Sequence, residues 1–200
     1  MISVYDIKPK FQKLLFPLLT VLRRLGITPN HITVFSILFS FLIGFLFLQA
    51  TENKIFYLVV ALGLLLRMGL NALDGMMANK YNLKSTKGEI LNEIGDVISD
   101  IAIYFPLLYF ENFKFEYVVL FIVLSVINEF CGVLAKSISG ERRYDGPMGK
   151  SDRALFIGIL SIYLFFSQEA HYFINYILIL VIILMMLSSY LRLINAMKNE

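Results

Sequence analysis

Residues 71–96 of the chain read NALDGMMANKYNLKSTKGEILNEIGD, and a long apolar stretch lies on each side of them. Within this segment, polar side chains that carry oxygen atoms recur at helical spacing. Asn71 and Asp74 share one face of a first helix, and Asn92 and Asp96 share one face of a second, because residues three or four apart lie on the same side of a helix. Ionisable residues inside membrane helices are costly and usually mark function. The segment therefore predicts two membrane helices whose polar stripes face each other at a functional site.

The composition of the whole chain supports a membrane protein. Of its 200 residues, 58% are hydrophobic and 16% are charged, whereas soluble domains contain about 25% charged residues. A membrane helix needs about 20 mostly apolar residues, and six stretches reach or approach that length. Their bounds are 32–50, 55–79, 88–111, 115–137, 153–168 and 171–191. We predict an all-α polytopic membrane protein with six transmembrane helices in residues 32–194. It should form one domain over residues 1–200, because no flexible linker divides the chain.

Basic residues predict the orientation of these helices. Fifteen of the 18 Lys and Arg residues would lie on one side of the membrane, in the N-terminal region, two connectors and the C-terminal tail. The connectors on the other side carry only Lys54 and Lys114. Since basic connectors face the cytoplasm, both termini are predicted to be cytoplasmic. Residues 4–24 mix large apolar and basic side chains, a pattern typical of an amphipathic helix in the membrane interface.

The depth of the polar groups follows from the rise of about 1.5 Å per residue in a helix. Counted from the nearest helix end, Asp74 lies about 9 Å and Asp96 about 12 Å inside the cytoplasmic boundary. Arg67 and Asp100 lie deeper, at about 18–20 Å, where we expect them to form an ion pair. The shallower groups predict a hard divalent cation held by oxygen atoms, Mg²⁺ or Mn²⁺. The predicted ligands are Asn71, Asp74, Asn92 and Asp96.

The scarcity of other ligands narrows the kind of site. The chain has two His residues and one Cys, which argues against zinc or copper, and the lone Cys131 excludes an internal disulfide. The other interpretation of the intramembrane carboxylates is that they neutralise nearby Lys and Arg side chains and stabilise helix packing. We favour the cation site because the whole set lies at one depth on two helices. The abundant Phe and Tyr residues fit lipid-facing packing, and no nucleic-acid binding is expected.

The spacing of these residues also resembles a known signature. The segment can be written Asn71-x2-Asp74-Gly75-x2-Ala78-Asn79-x8-Gly88-x3-Asn92-x3-Asp96. It closely resembles the signature of the CDP-alcohol phosphotransferase (CDP-alcohol phosphatidyltransferase) family, D-x2-D-G-x2-A-R-x8-G-x3-D-x3-D. Every interval matches, and five of the eight signature residues match. Thr28-Pro29-Asn30-x2-Thr33, which opens the first apolar stretch, is similar to the entry of the family's first helix.

The resemblance implies an activity and a role for each matched residue. The family transfers a substituted phosphate group from a CDP-linked alcohol to an acceptor hydroxyl and releases CMP. By resemblance, Asp96 is the general base as well as a metal ligand, and the cofactor is one or two Mg²⁺ or Mn²⁺ ions. The residues implied in nucleotide binding are Gly75, Ala78, Asn79, Ser85 and Gly88. The family commonly forms homodimers. The motif N-A-L-D-G at residues 71–75 is similar to that of a bacterial inner-membrane subgroup of the family.

The chain departs from the signature at three positions, where asparagine replaces aspartate or arginine. These are Asn71, Asn79 and Asn92. Each aspartate-to-asparagine change keeps an oxygen ligand but removes a negative charge, so metal affinity should fall. Glu93 and Asp100 share the helical face of Asp96 and are expected to restore some negative field. Lys80 is the candidate to replace the cation lost at position 79. The departures leave open a catalytically silent relative that binds nucleotide or metal.

A second candidate site is the polar connector 139–153. Its basic and hydroxyl residues, with flexible glycines between them, suit a phosphate group or a charged acceptor. They are Arg142, Arg143, Lys150, Ser151 and Arg153. The positive-inside pattern alone would also explain the basic residues. The connector lies on the same side as the predicted cation site, so we interpret it as an acceptor site.

Together these observations predict a phosphatidyltransferase of the inner membrane. We expect CDP-diacylglycerol as the donor and a small polar alcohol, with or without a phosphate, as the acceptor. The reverse assignment, in which a soluble CDP-alcohol donates to a lipid, stays open. A transporter whose ion pathway is lined by the same acids is the competing class. A transporter would be expected to show broken helices or an internal repeat, and the sequence has neither.

Overall fold

The computed structural model describes residues 4–167 and 171–198, with side chains described from residue 11 onward. Within these residues the regular structure is entirely helical, as predicted. Its α-helices are α1 (Val4–Arg24), α2 (Pro29–Leu48), α3 (Ile55–Lys80), α4 (Thr86–Tyr104), α5 (Phe115–Ser139), α6 (Lys150–Ser167) and α7 (Phe173–Met197). Short 3₁₀ helices, Gln49–Thr51 and Phe105–Tyr109, follow α2 and α4.

Four helices in the described part of the chain are long and apolar enough to cross a membrane. They are Pro29–Thr51, Ile55–Lys80, Phe115–Ser139 and Phe173–Met197. The predicted spans 88–111 and 153–168 fall outside this group because α4 and α6 carry too many charged residues. α4 contains four acidic residues, and α6 begins with Lys150, Asp152 and Arg153. Length and composition therefore identify four apolar helices where the sequence predicted six spans.

Side-chain caps define the starts of α2 and α4, the two helix ends nearest the site. At the start of α2, the Thr28 hydroxyl accepts a hydrogen bond from the His31 amide, and the His31 ring accepts one from the Thr28 amide, both at 3.4 Å. Pro29 takes the first helical position, where its missing N–H is not needed. At the start of α4, Ser85 Oγ accepts a hydrogen bond from the Gly88 amide at 3.1 Å. Such caps satisfy amides that otherwise lack partners at a helix start.

α2 is the helix around which the site is arranged. It packs against both α3 and α4, and α3 also packs against α6. α5 packs mainly against α7 and contacts α4 as well. The close approach of α2 to α4 requires Gly44, because a Cβ at this position would collide with the backbone carbonyl of Ala102. Small residues matter in this way because the packing of membrane helices, which gains little from leaving lipid, depends on close contact.

The bundle has an apolar half and a polar half. The apolar half contains the main core, with fully buried residues such as Phe47, Val60, Leu107, Phe121 and Leu178. The polar half lies toward the opposite ends of the same helices and contains the buried charged residues of the described chain. These are Arg67, Asp74, Asp96, Asp100, Glu129, Arg153 and Arg192. The fold therefore gathers its buried charged side chains in one half of the bundle.

α1 packs against α3 at the polar end of the bundle. Its Leu19 is fully buried in a small cluster with residues of α2 and α3. The helix covers the predicted residues 4–24, and its location in the membrane interface stays a prediction. The side chains of Lys8 and Lys10, which belong to the predicted basic region, lie outside the described residues, as do both chain termini.

Candidate active site

Asp74 on α3 and Asp96 on α4 lie within electrostatic reach of each other in the polar half of the bundle. Both residues are buried, with 7% and 6% of their surface exposed. Thr33 on α2 donates a hydrogen bond from Oγ1 to Asp74 Oδ2 at 3.0 Å. Lys150, the first residue of α6, forms an ion pair with Asp96, and the charges of Lys150 and Asp96 both act on the Asp74 carboxylate. The structure thus brings the two predicted carboxylates into one site.

The two predicted amide ligands have different surroundings. Asn71 lies one turn before Asp74, and its Oδ1 accepts a hydrogen bond from Ser36 Oγ at 2.9 Å. Asn92 lies one turn before Asp96 and is partly buried. Within the described part of the chain its side chain has no hydrogen-bond partner. Because a carbonyl oxygen has two lone pairs, both amide oxygens still have the capacity to bind a ligand.

α2 supplies polar partners that were not predicted from the sequence. Asn30, Thr33, Ser36 and Ser40 recur three or four residues apart in an otherwise apolar helix, so they share one face. Thr33 and Ser36 contact the predicted carboxylate and amide of α3. This polar stripe is the sequence signal that could have identified α2 as a third side of the site.

A second group of carboxylates is neutralised by arginine side chains. Asp100 accepts hydrogen bonds from Arg67 at 3.0 Å and from Arg153 at 2.8 Å. Arg153 also binds Glu129 at 2.8 Å and is completely buried. The predicted ion pair between Arg67 and Asp100 is therefore confirmed. The expectation that Asp100 would add free negative charge to the site is wrong, because two guanidinium groups neutralise it.

Arg142 extends this network from the connector before α6. It forms an ion pair with Glu93 and binds Glu129 at 2.6 Å. Burial alone would lower the pKa of the Arg142 guanidinium, but the charges of Tyr144, Glu93 and Glu129 raise that pKa above its usual value. Arg142 therefore stays positively charged. The carboxylates of this second group neutralise basic side chains, as the alternative interpretation of the sequence expected. Asp74, in contrast, has no ion-pair partner within the described residues.

Lys80 does not supply the cation that is missing at position 79. Its ammonium lies 3.4 Å from the centre of the Phe16 ring on α1, which contradicts the expectation drawn from the sequence. Asn79 is exposed, and its side-chain amide donates a hydrogen bond to the Gly75 carbonyl at 2.8 Å. The lysine that reaches a signature carboxylate is Lys150, which comes from a different helix.

The two signature glycines differ in what surrounds them. A Cβ at Gly75 would meet no atom within 4 Å, so there is open space beside α3 at this point. A Cβ at Gly88 would lie 2.7 Å from Asn30 Oδ1 and 3.1 Å from Ser85 Oγ. A Cβ at Gly88 would thus displace the end of the Asn30 side chain, whereas a Cβ at Gly75 would displace no described residue. Of the other predicted nucleotide residues, Ala78 is partly buried and Ser85 caps α4.

The predicted acceptor residues of the connector 139–153 do not form one open cluster. Three of the five pair with carboxylates: Arg142, Lys150 and Arg153. Arg143 donates from Nη2 to the backbone carbonyl of Asn195 at 3.2 Å, and Ser151 is exposed. The connector therefore contributes mainly to ion pairs with α4 and α5, and part of it remains open to solvent.

Arg192 on α7 is a buried cation that the sequence placed only in the basic C-terminal tail. The residue is 1% exposed and donates from Nη1 to the Asn128 backbone carbonyl at 2.5 Å. It has no carboxylate partner among the described residues. A Cβ at Gly132 would lie 3.3 Å from Arg192 Nη1 and 3.6 Å from Arg142 Nε, so the two guanidinium groups are neighbours. An arginine directly after the last apolar stretch was the available signal.

The site has the chemistry of a hard-cation site with little negative charge. Within residues 4–167 and 171–198, no three His, Cys, Asp or Glu side chains converge as a metal cluster. The predicted ligands offer two carboxylates and two amide oxygens, donors that suit Mg²⁺ or Mn²⁺. Asp74 is a buried carboxylate without an ion-pair partner in the described chain, and a buried charge normally needs a compensating one. These residues therefore fit a hard divalent cation.

Comparison with known proteins identifies relatives over most of the chain. Residues 26–194 match the CDP-alcohol phosphatidyltransferase family. The inner membrane protein YnbA of Escherichia coli (strain K12) is 46% identical over 157 residues, which cover 78% of each protein. An uncharacterized protein of Aquifex aeolicus (strain VF5) is 30% identical over 125 residues, or 62% of this chain and 61% of that protein.

Solved structures of the phosphatidylinositol phosphate synthase PgsA1 of Mycobacterium tuberculosis share the fold. The structure with CDP-DAG bound has a TM-score of 0.72 at 20% identity and covers 90% of this chain and 92% of that chain. The complex with manganese and citrate has the same TM-score and identity and covers 90% and 87%. At this level of identity, the likeness establishes the fold.

Proposed function

The chain belongs to the CDP-alcohol phosphatidyltransferase family, and on this premise we propose that it transfers the phosphatidyl group of CDP-diacylglycerol to a small polar alcohol and releases CMP. The observation that carries the proposal is the pair of buried carboxylates, Asp74 and Asp96, which two helices bring together beside Lys150. The mycobacterial synthase of the same fold was solved with CDP-DAG, which supports this donor. The reaction belongs to phospholipid biosynthesis.

The site would bind two groups of the donor, its pyrophosphate and its nucleotide. Mg²⁺ or Mn²⁺ would be bound by Asn71, Asp74, Asn92 and Asp96, and the metal would neutralise the charge of the pyrophosphate. The manganese complex of the mycobacterial synthase supports a divalent cation here. The nucleotide would lie along the start of α4 and the end of α3, beside Gly75, Ala78, Asn79, Ser85 and Gly88. The open space at Gly75 supports this placement.

Asp96 would act as the general base of the transfer. The acceptor oxygen forms a bond to the phosphorus of the phosphatidyl group while the bond from that phosphorus to the bridging oxygen breaks. The bridging oxygen and the electron pair of that bond leave with CMP. The hydroxyl proton passes to the Asp96 carboxylate, which must lie within hydrogen-bond reach of the acceptor. Lys150 fixes the orientation of this carboxylate through their ion pair.

The acceptor would bind beside the connector 139–153. The proposed acceptor residues are Arg142, Arg143, Lys150, Ser151 and Arg153. Arg153 is completely buried, so it would act indirectly, by holding Asp100 and Glu129 in position. An acceptor that carries a phosphate is favoured, because Arg192 adds a buried guanidinium with no carboxylate partner among the described residues. Arginine binds phosphate with directional, charge-assisted hydrogen bonds.

We propose that α4 and α6 also cross the inner membrane, so that the protein has six spans and cytoplasmic termini. Asp96, Asp100 and Arg153 are buried inside the bundle, and charged residues in membrane helices are tolerated when they pair in the protein interior. The relative YnbA is an inner membrane protein. A homodimer, which the family resemblance implies, is part of the same proposal.

Cysteine labelling in spheroplasts distinguishes six spans from four when the N-terminus is cytoplasmic. With six spans, the connector at Glu111 faces outward and the connector at Glu141 faces the cytoplasm; with four spans the two are exchanged. Both residues are exposed. In a Cys131→Ser background, Glu111→Cys should react with a membrane-impermeant maleimide before lysis, and Glu141→Cys only after lysis. The opposite pattern would contradict the proposed topology.

Gly75→Ala should weaken donor binding without destabilising the fold. A methyl group fits the open space, and alanine is favoured over glycine in a helix by about 1 kcal/mol, so Tm should stay equal or rise. The same methyl would occupy space proposed for the nucleotide. A steric cost of about 1–3 kcal/mol would raise KM for CDP-diacylglycerol by about fivefold to more than a hundredfold.

Gly69→Ala is the matched control for this change, because it lies on the same helix but outside the proposed nucleotide site. Its methyl would make only ordinary contacts, with Phe11 at 3.9 Å and Leu15 at 4.0 Å, so Tm should stay equal or rise and KM should not change. An unchanged KM in Gly75→Ala would contradict a nucleotide beside this part of α3.

The activity itself is tested by CMP release from purified protein. The protein is given CDP-diacylglycerol, Mg²⁺ or Mn²⁺, and a panel of polar alcohols with and without a phosphate. Metal-dependent CMP release with at least one acceptor is the expected result. No release with any acceptor, in protein shown to be folded, would contradict the proposed transferase.

A catalytically silent relative is the second candidate function. It is favoured by Asn71 and Asn92, which remove two negative charges from the signature. The hydrogen bond from Ser36 also takes one of the two lone pairs of the Asn71 oxygen. This candidate predicts that the protein binds CDP-diacylglycerol or Mn²⁺ but releases no CMP. The same assay, combined with a binding measurement, separates the two functions.

A further inference from the structure

We infer that the ammonium group of Lys150 takes the place of a second divalent cation, so that the site binds one Mg²⁺ or Mn²⁺ together with the donor. The inference rests on the proposed function and specifies how its site is charged. The observation behind it is that Lys150 pairs directly with Asp96 and also acts on Asp74. A fixed cation thus lies beside Asp96 and within electrostatic reach of Asp74, the two carboxylates that the signature retains.

The charge of the site favours one divalent cation. Four aspartates, as in the signature that this chain resembles, carry enough negative charge to balance two divalent ions. Here Asn71 and Asn92 leave two carboxylates, and Lys150 reduces their net charge to minus one. One divalent ion makes the site plus one, which the pyrophosphate of the donor then offsets. With the two negative charges of the donor counted, one ion leaves the site at minus one. A second ion would leave an uncompensated positive charge beside the Lys150 ammonium in a mostly buried site, where repulsion between cations is strong.

The first turn of α6 fixes the position of this ammonium. Gly149 donates its amide to Asp152 Oδ2 at 3.1 Å, which defines the start of the helix. Arg153, one turn after Lys150, is completely buried and binds Asp100 and Glu129, both at 2.8 Å. Since Arg153 anchors the turn against α4 and α5, the Lys150 side chain starts from a fixed backbone. Its ammonium is therefore a permanent part of the site.

Three other cations near the site are held by other partners. Lys80, next to the position where the signature has arginine, lies over the Phe16 ring. Arg142 and Arg153 are held by carboxylates outside the signature. Lys150 is therefore the basic side chain that pairs with a signature carboxylate in the described structure. Compared with the signature, the site has lost two aspartate charges and gained one ammonium group. Both differences reduce the number of divalent cations that the site needs for neutralisation.

The test counts Mn²⁺ bound per chain in purified protein with CDP-diacylglycerol and no acceptor. Free Mn²⁺ is measured by electron paramagnetic resonance, so no turnover is needed. Wild-type protein and Lys150→Arg should each bind one ion. Lys150→Met should bind two ions, and should bind the first at least about tenfold more tightly, because a positive charge has been removed beside it.

Lys136→Met is the matched control. It removes an ammonium that pairs with Glu89 on the same helix as Asp96 but outside the site, and should bind one ion with wild-type affinity. Lys150→Gln gives a second neutral variant if Lys150→Met does not fold. Two ions in wild-type protein, or an unchanged count when Lys150 is neutral, would overturn the inference.

The number of bound Mn²⁺ ions and the release of CMP test the two proposals separately. Wild-type protein that binds one Mn²⁺ but releases no CMP with any acceptor would overturn the proposed transferase and leave the role of Lys150 intact. Wild-type protein that releases CMP and binds two ions would overturn the role of Lys150 and leave the transferase intact. Wild-type protein that neither binds Mn²⁺ nor releases CMP would overturn both.

Discussion

Asp96→Asn should reduce CMP release by about a thousandfold or more while the protein stays folded. A positioned general base contributes about 10²–10⁴ to a rate, and Asp96 is also a proposed metal ligand. The substitution keeps the size of the side chain. It leaves Lys150 without its carboxylate, but one quarter of the Lys150 side chain is exposed, so water can solvate the ammonium. The effect should therefore fall on kcat far more than on stability.

Glu89→Gln is the control for charge removal on α4. Glu89 lies two turns before Asp96 on the same face, is exposed, and pairs with Lys136. This variant should keep a rate close to that of the wild type under saturating donor, acceptor and metal. A rate in Asp96→Asn within tenfold of the wild-type rate would exclude Asp96 as the general base.

Arg153→Met should produce the largest loss of stability of any single change in the polar half. The guanidinium is completely buried and binds both Asp100 and Glu129. Removing one partner of a buried ion pair leaves uncompensated charge and costs about 3–5 kcal/mol. Here two carboxylates lose a partner, although Arg67 and Arg142 still contact them. We expect a cost in this range, seen as a clear drop in Tm for protein in detergent.

The size of this effect is best judged against an exposed ion pair. Lys136→Met disrupts the pair with Glu89, in which both side chains are more than 40% exposed, and exposed pairs contribute about 0–1 kcal/mol. Arg153→Met should therefore lower Tm far more than Lys136→Met does. Similar Tm values for the two variants would show that the buried network contributes no more than surface charge.

The sequence predicted those features of the fold that depend on position along one helix. Counting residues inward from the helix ends placed Arg67 and Asp100 at one depth, and the structure shows their ion pair. The apolar stretches identified the helices themselves. The charged residues of α4 and α6 weaken the apolar signal of these two helices, which is why composition alone supports four spans. Helices that contribute charged residues to a site inside a membrane domain are therefore harder to identify as spans from their composition.

Contacts between helices distant in sequence could not be predicted in this way. The pair formed by Lys150 and Asp96 depends on how α6 packs against α3 and reaches α4, and no local pattern encodes that arrangement. The partner of Lys80 could not be predicted for the same reason, since α1 provides the aromatic ring over which its ammonium lies. The spacing of the signature residues gave the candidate site, and tertiary packing determined which of its charges are free.

The concentration of charge in the polar half has a consequence for how the chain enters the membrane during synthesis. Each acid at the centre of a membrane helix adds about 2.5–3.5 kcal/mol to its insertion. When α4 leaves the ribosome, Arg67 is the counter-charge already present, and Arg153 follows Asp100 by 53 residues. If α4 crosses the membrane as proposed, Asp100 gains its second counter-charge only after the first turn of α6 has been made. The proposed topology therefore implies that the insertion of α4 is completed together with that of α6, after α5 has been made.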